Sequence, residues 1–117
     1  MNSWITHADM VRELKKPGDV ICEQLDPSRA DLWHAVTGIV TEAGELMDAV
    51  KKLVVYNKTL DIMNIVEELG DLEFYMEQVR QNLLLTRPMI VQHNMEKLAK
   101  RYPDGYTDNA ARERADK

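Results

Sequence analysis

Two segments of this chain repeat the same apolar step. Leu32, Val36, Ile39, Ala43, Leu46, Val50 and Leu53 recur at intervals of four and three, and so do Ile62, Ile65, Leu69, Leu72, Met76, Val79 and Leu83. That spacing keeps every side chain on one face of an α-helix but would scatter them over both faces of a strand. The pattern therefore demands two long helices, each with a stripe to bury. The connection around Tyr56–Thr59 is short and polar, so the two helices are expected to pack antiparallel.

Proline, glycine and capping residues divide the rest. Pro17-Gly18, Asp26-Pro27, Pro88 and Pro103-Asp104-Gly105 are the main breaks. They predict a first helix from Trp4 to Lys16, a turn or two within "GDVICEQL", and a helix capped by Asp26 with Pro27 in its first position, running to Val55. A third helix is predicted from Leu60 to Leu85, a fourth from Pro88 to Tyr102, and a polar tail over 103–117. The expectation is one all-α domain over residues 1–117, a four-helix-type bundle assembled as an oligomer. Two such regular stripes in a chain of 117 residues offer more apolar surface than the other helices can cover. A homodimer or a dimer of dimers is expected to cover the remainder.

Lysine and arginine total 15 against 20 acids, for a net charge of −5 and a pI near 5.2. That balance argues against a general nucleic-acid partner. No apolar run approaches the roughly 18 residues of a membrane span, and "MNSWITHADM" has no basic region leading into an apolar core. The single cysteine, Cys22, cannot form an internal disulfide. These features predict a soluble cytoplasmic protein with no membrane partner.

Chemistry enters with a duplicated acidic motif. Glu42-Ala-Gly-Glu-Leu46 returns as Glu68-Leu-Gly-Asp-Leu72, and Glu42, Glu45, Glu68 and Asp71 each precede a stripe residue by one position. All four carboxylates are thus expected to flank the groove between the antiparallel helices. Partly buried together they repel, and need protonation or a cation. Oxygen donors with no histidine or thiolate among them suit Mg²⁺, with Mn²⁺ as a substitute. Gly44 and Gly70 each cost a helix interior about 1 kcal/mol relative to alanine, and leave room for a ligand or metal to approach. The plainer alternative is a solvated face whose acids pair with Lys51, Lys52 or Arg80. A di-metal carboxylate oxidase is a further alternative, but it calls for Glu-x-x-His on two helices, and the nearest match is Asp31-x-x-His34.

On the fourth helix Val91, Met95, Leu98 and Tyr102 form the stripe, with Asn94, Lys97 and Arg101 one position earlier. An amide, an ammonium and a guanidinium on one border are suited to phosphate oxygens. Tyr75, one turn beyond Asp71, is the ring best placed to stack on a nucleobase.

The segments "HAVTGIVTEAGELMDAVKK", "LDIMNIVEELGDLEFYMEQVR" and "NMEKLAKRYPDGYTDNAARERADK" together resemble the MazG-like all-α nucleoside triphosphate pyrophosphohydrolases of phages and bacteria, which are related to dimeric dUTPases and dCTPases. The resemblance spans nearly the whole chain and is loose over residues 1 to 25. It implies Mg²⁺-dependent hydrolysis of a (d)NTP to (d)NMP and pyrophosphate, in the cytoplasm of a bacterium or phage-infected host. It also implies that Glu42, Glu45, Glu68 and Asp71 hold the metal and that Asn94, Lys97, Arg101 and Tyr102 contact the nucleotide. Such a reaction needs an in-line water and a group to take its proton, for which Glu45 is the expected base. A helical interaction module without catalysis is the alternative from another class.

Overall fold

A computed structural model describes residues 3–117 and contains helices but no strand among them. Helix α1 (His7–Leu14) opens on a capping box in which the Thr6 hydroxyl accepts from the Asp9 N–H and the Asp9 carboxylate accepts from the Thr6 N–H. That box leaves Trp4 outside the helix. The chain is already extended at Lys15, two residues ahead of Pro17, so the helix stops before it reaches the residue that the proline restricts. Helix α1 is accordingly shorter than the Trp4–Lys16 expected, and the short α2 (Gly18–Glu23) follows.

Helix α3 (Pro27–Val54) starts as expected, with Asp26 accepting from the Arg29 N–H and Pro27 inside the first turn. Helix α4 (Ile62–Leu83) is capped by Asp61, which accepts from the Asn64 N–H, and it ends where Leu84 turns left-handed at φ 57°. Thr86 caps α5 (Arg87–Arg101) through the Met89 N–H. The polar tail carries a further short helix, α6 (Asp108–Glu113), capped by Thr107. Its low apolar content hid it in the sequence. No helix among the described residues is long and apolar enough to cross a membrane.

Helices α3 and α4 form an antiparallel hairpin, as their stripes require, but their closest approach runs one position to the side of the stripes. The Asp31 carbonyl accepts from Gln78 Nε2 at 3.4 Å, Gly38 lies against the Tyr75 ring, and Glu42 reaches Glu68 and Asp71. Each of these residues stands on the line one position before the apolar stripe. Small residues make that line the close face: Ala35 and Gly38 are buried and Ala49 nearly so. A one-position change rotates a helix face by about 100°. The apolar stripe is therefore turned partly sideways, with Leu32, Ile39, Leu46, Ile65, Leu72, Met76 and Val79 half-buried and Val36, Val50, Leu53 and Leu69 exposed. Beside it Ala43, Leu46, Met47, Val50, Val54 and Val55 line an open apolar groove on α3.

The helix pairs that pack along several residues are α3 with α4 and α5 with α6. The four longer helices do not close into a bundle within one chain. The radius of gyration is 20.5 Å, whereas a compact chain of this length has about 13 Å.

Candidate functional site

The α3–α4 register brings acids together from both helices. One carboxylate oxygen from each of Glu42, Glu68 and Asp71 lies within 4.8 Å of the other two. Glu42 and Glu68 are half-buried, while Asp71 and Glu45 are exposed. Glu45 stands outside the trio, but its charge is felt there. Burial first, then the charges of Glu42, Asp71 and Glu45, raise the Glu68 carboxyl above its usual 4.5.

Glu68 Oε2 is buried and has no hydrogen-bond partner. A buried carboxylate oxygen left without a donor is costly, and the cations that might have answered it are engaged elsewhere. Lys52 pairs with Asp48 at 3.3 Å, and Arg80 with Glu77 at 2.8 Å and Glu73 at 3.7 Å. Lys51 lies over the Tyr56 ring, 5.7 Å from its centroid. Among the described residues none of the four motif acids has a basic partner within 4.0 Å. The solvated face paired to Lys51, Lys52 or Arg80 is thus not what the fold forms. Converging carboxylate oxygens, one of them orphaned, are a donor set for a hard divalent cation.

The two motif glycines look onto open space. A Cβ at Gly44 or Gly70 would meet nothing within 4 Å. The glycine that permits close packing is Gly38, where a Cβ would lie 2.5 Å from Tyr75 Cγ and Cε1. Sequence reasoning passed over it, although its place one turn before Glu42 on the acid flank was a usable signal. Tyr75 is consequently an inter-helix wedge, with His34 edge-on at 5.9 Å and Phe74 at 5.2 Å. It sits one turn along the groove from the acids and remains half-buried.

Helix α5 does not pack along the acid groove, so within one chain the fold does not bring Asn94, Lys97, Arg101 or Tyr102 to the carboxylates. Asn94 is exposed and Lys97 half-buried. Arg101 is held by the tail: its Nε donates to Asp116 Oδ1 at 2.7 Å and its Nη2 to Oδ2 at 3.1 Å. The guanidinium fork assigned to phosphate is filled by a carboxylate. Tyr102 stacks obliquely on Tyr106 at 5.3 Å. The tail's resemblance to the family points to a role for Arg114, Asp116 and Lys117, but nothing in the sequence pairs Asp116 with Arg101, because that partner lies 15 positions away on α5.

Among known proteins, the profile of the MazG nucleotide pyrophosphohydrolase domain matches residues 34–106. No curated protein and no solved structure matches the chain. The matched span contains the acid trio, Glu45, Tyr75 and the α5 residues.

Proposed function

The chain belongs to the MazG nucleotide pyrophosphohydrolase family, and from that premise we propose that it hydrolyses a (d)NTP to (d)NMP and pyrophosphate with Mg²⁺, or with Mn²⁺ in its place. The observation that carries the metal assignment is the orphaned Glu68 Oε2 within the trio of Glu42, Glu68 and Asp71. Those three residues, with Glu45 beside them, would hold the ion. When bound, it supplies charge neutralisation on the phosphate oxygens and the leaving group. Glu45 has the freer carboxylate and takes the proton from the attacking water. The new P–O bond forms as the α–β phosphoanhydride linkage breaks, and pyrophosphate leaves. Lys97 and Asn94 donate to phosphate oxygens, and the Tyr75 region offers the base an aromatic wall.

Because α5 stands away from the acids of its own chain, the phosphate contacts reach them from a second copy. The exposed apolar groove on α3 is the surface that a homodimer or a dimer of dimers would cover. A panel of NTPs and dNTPs with Mg²⁺, assayed for monophosphate and pyrophosphate, tests the reading. Release of both products, abolished in Glu45→Ala and Asp71→Ala variants that stay folded, is the expected outcome. No hydrolysis of any triphosphate, or full activity in both variants, would refute it and favour a helical interaction module.

A further inference from the structure

A second charged feature lies between α5 and the C-terminal tail. The Asp116 side chain is 2% exposed and the Arg101 side chain 14%, so their two-pronged ion pair is shielded from water. It draws the last residues back onto α5, on which α6 also packs. The fold-back leaves a cleft of about 340 Å³ lined by His93, Glu96, Lys97, Lys100, Asp116 and Lys117.

The charges in this cleft do not cancel. Asp116 is neutralised by Arg101, and Glu96 accepts only from the uncharged Gln92 amide, at 3.0 Å. Lys97, Lys100 and Lys117 have no acid within 4.0 Å among the described residues. Three ammonium groups and an imidazole therefore share one concavity in which Glu96 is the one side-chain carboxylate without a basic partner. Ammonium groups act as compact point charges with rotatable donors, and a cluster of them suits an anion carrying several charges on tetrahedral oxygens. Lys100, which the stripe pattern of α5 would leave to solvent, lines the same cleft as Lys97.

We propose that the α5–tail cleft is a binding site for an anion of two or more linked phosphates, with Lys100, Lys117 and His93 as contacts beside Lys97 and Asp116 as the positioning residue that closes the tail through Arg101. The site shares Lys97 with the proposed hydrolysis and rests on that reading for the anion's origin, either the polyphosphate of a bound nucleotide or free pyrophosphate.

Calorimetric titration of the full chain with inorganic pyrophosphate and with tripolyphosphate, in metal-free buffer, tests the site directly. Wild-type protein is expected to bind both. Lys100→Gln and Lys117→Gln should each weaken binding about ten-fold, as loss of a charge-assisted contact does. Asp116→Asn should weaken it as well while circular dichroism shows the helices intact. The proposal is overturned if wild-type protein binds neither anion without metal, or if both lysine variants bind like wild type. Pyrophosphate competing with a dNTP in the hydrolysis assay would trace the anion to the substrate, and non-competitive inhibition to the free product. Either pattern supports the cleft. Hydrolysis failing while anion binding persists sinks the enzymatic reading alone, and the reverse sinks the cleft alone.

Discussion

Gly38 and Gly44 lie on the same helix and differ in one physical respect, which makes their alanine substitutions a test of the α3–α4 packing. At both positions alanine is the better helix former, by about 1 kcal/mol. At Gly44 the new methyl meets nothing within 4 Å, so Gly44→Ala is expected to stabilise the chain by about that amount. At Gly38 the methyl would stand 2.5 Å from Tyr75 Cγ and Cε1, closer than any carbon pair tolerates, and a ring cannot yield as a flexible chain end does. Overpacking of this kind costs roughly 1–3 kcal/mol. The propensity gain is common to the two variants and cancels in their difference, which leaves the steric cost. The melting temperature of Gly38→Ala should then lie roughly 4–12 °C below that of Gly44→Ala, measured at one protein concentration so that any assembly contributes equally. Adding Tyr75→Ala to both should abolish most of the gap, as a double-mutant cycle requires for residues in contact. Equal stability of the two single variants would refute the register of the hairpin, and with it the convergence of Glu42 on Glu68 and Asp71.

Other expected outcomes follow from the charges and exposed faces. Glu68 titrates above its usual value, so the folded metal-free protein binds its proton more tightly than the unfolded chain does, and this group's destabilisation appears as pH rises above 4.5. Mg²⁺ should therefore raise the melting temperature more at pH 7 than at pH 5, and Glu68→Gln should stabilise the metal-free protein while removing that response; a shift independent of pH would contradict this. Asp116 has the opposite sign: Arg101 holds its carboxyl down to about 2 from 3.8, so the clasp stays fully effective above 3.8 and is lost as pH falls through about 2, which amide exchange across α6 would register. Lys97→Ala should lower kcat/KM by about ten- to hundred-fold, because a charge-assisted phosphate contact is worth roughly 1.5–3 kcal/mol, and Lys97→Arg should recover only part of it; unaltered kinetics would remove α5 from the phosphate grip. Light scattering at micromolar concentration should give a dimer or tetramer, reduced by Met47→Glu in the exposed apolar groove, and a stable wild-type monomer would overturn the covering of that face by a second copy.

Read from one end to the other, the sequence by itself determined the helices, the antiparallel pairing of the two long ones and the clustering of acids along one flank. These depend on local chemistry: the step of three and four, the caps at Thr6, Asp26 and Thr86, and the repeat that sets Glu42 and Glu68 at matching places. Tertiary structure decided how each helix is rotated about its axis. A single position of rotation exchanged the apolar stripe for the line of Ala35, Gly38 and Glu42 as the face that meets α4, and this choice rests on small residues and on Tyr75, far away in the chain. The same holds for Arg101, whose stripe position suggested phosphate but whose guanidinium is filled by Asp116. Periodicity orders side chains around one helix and is silent on which neighbour each will meet. The orphaned oxygen of Glu68, on which the metal assignment turns, is a property of three side chains arriving from two helices together.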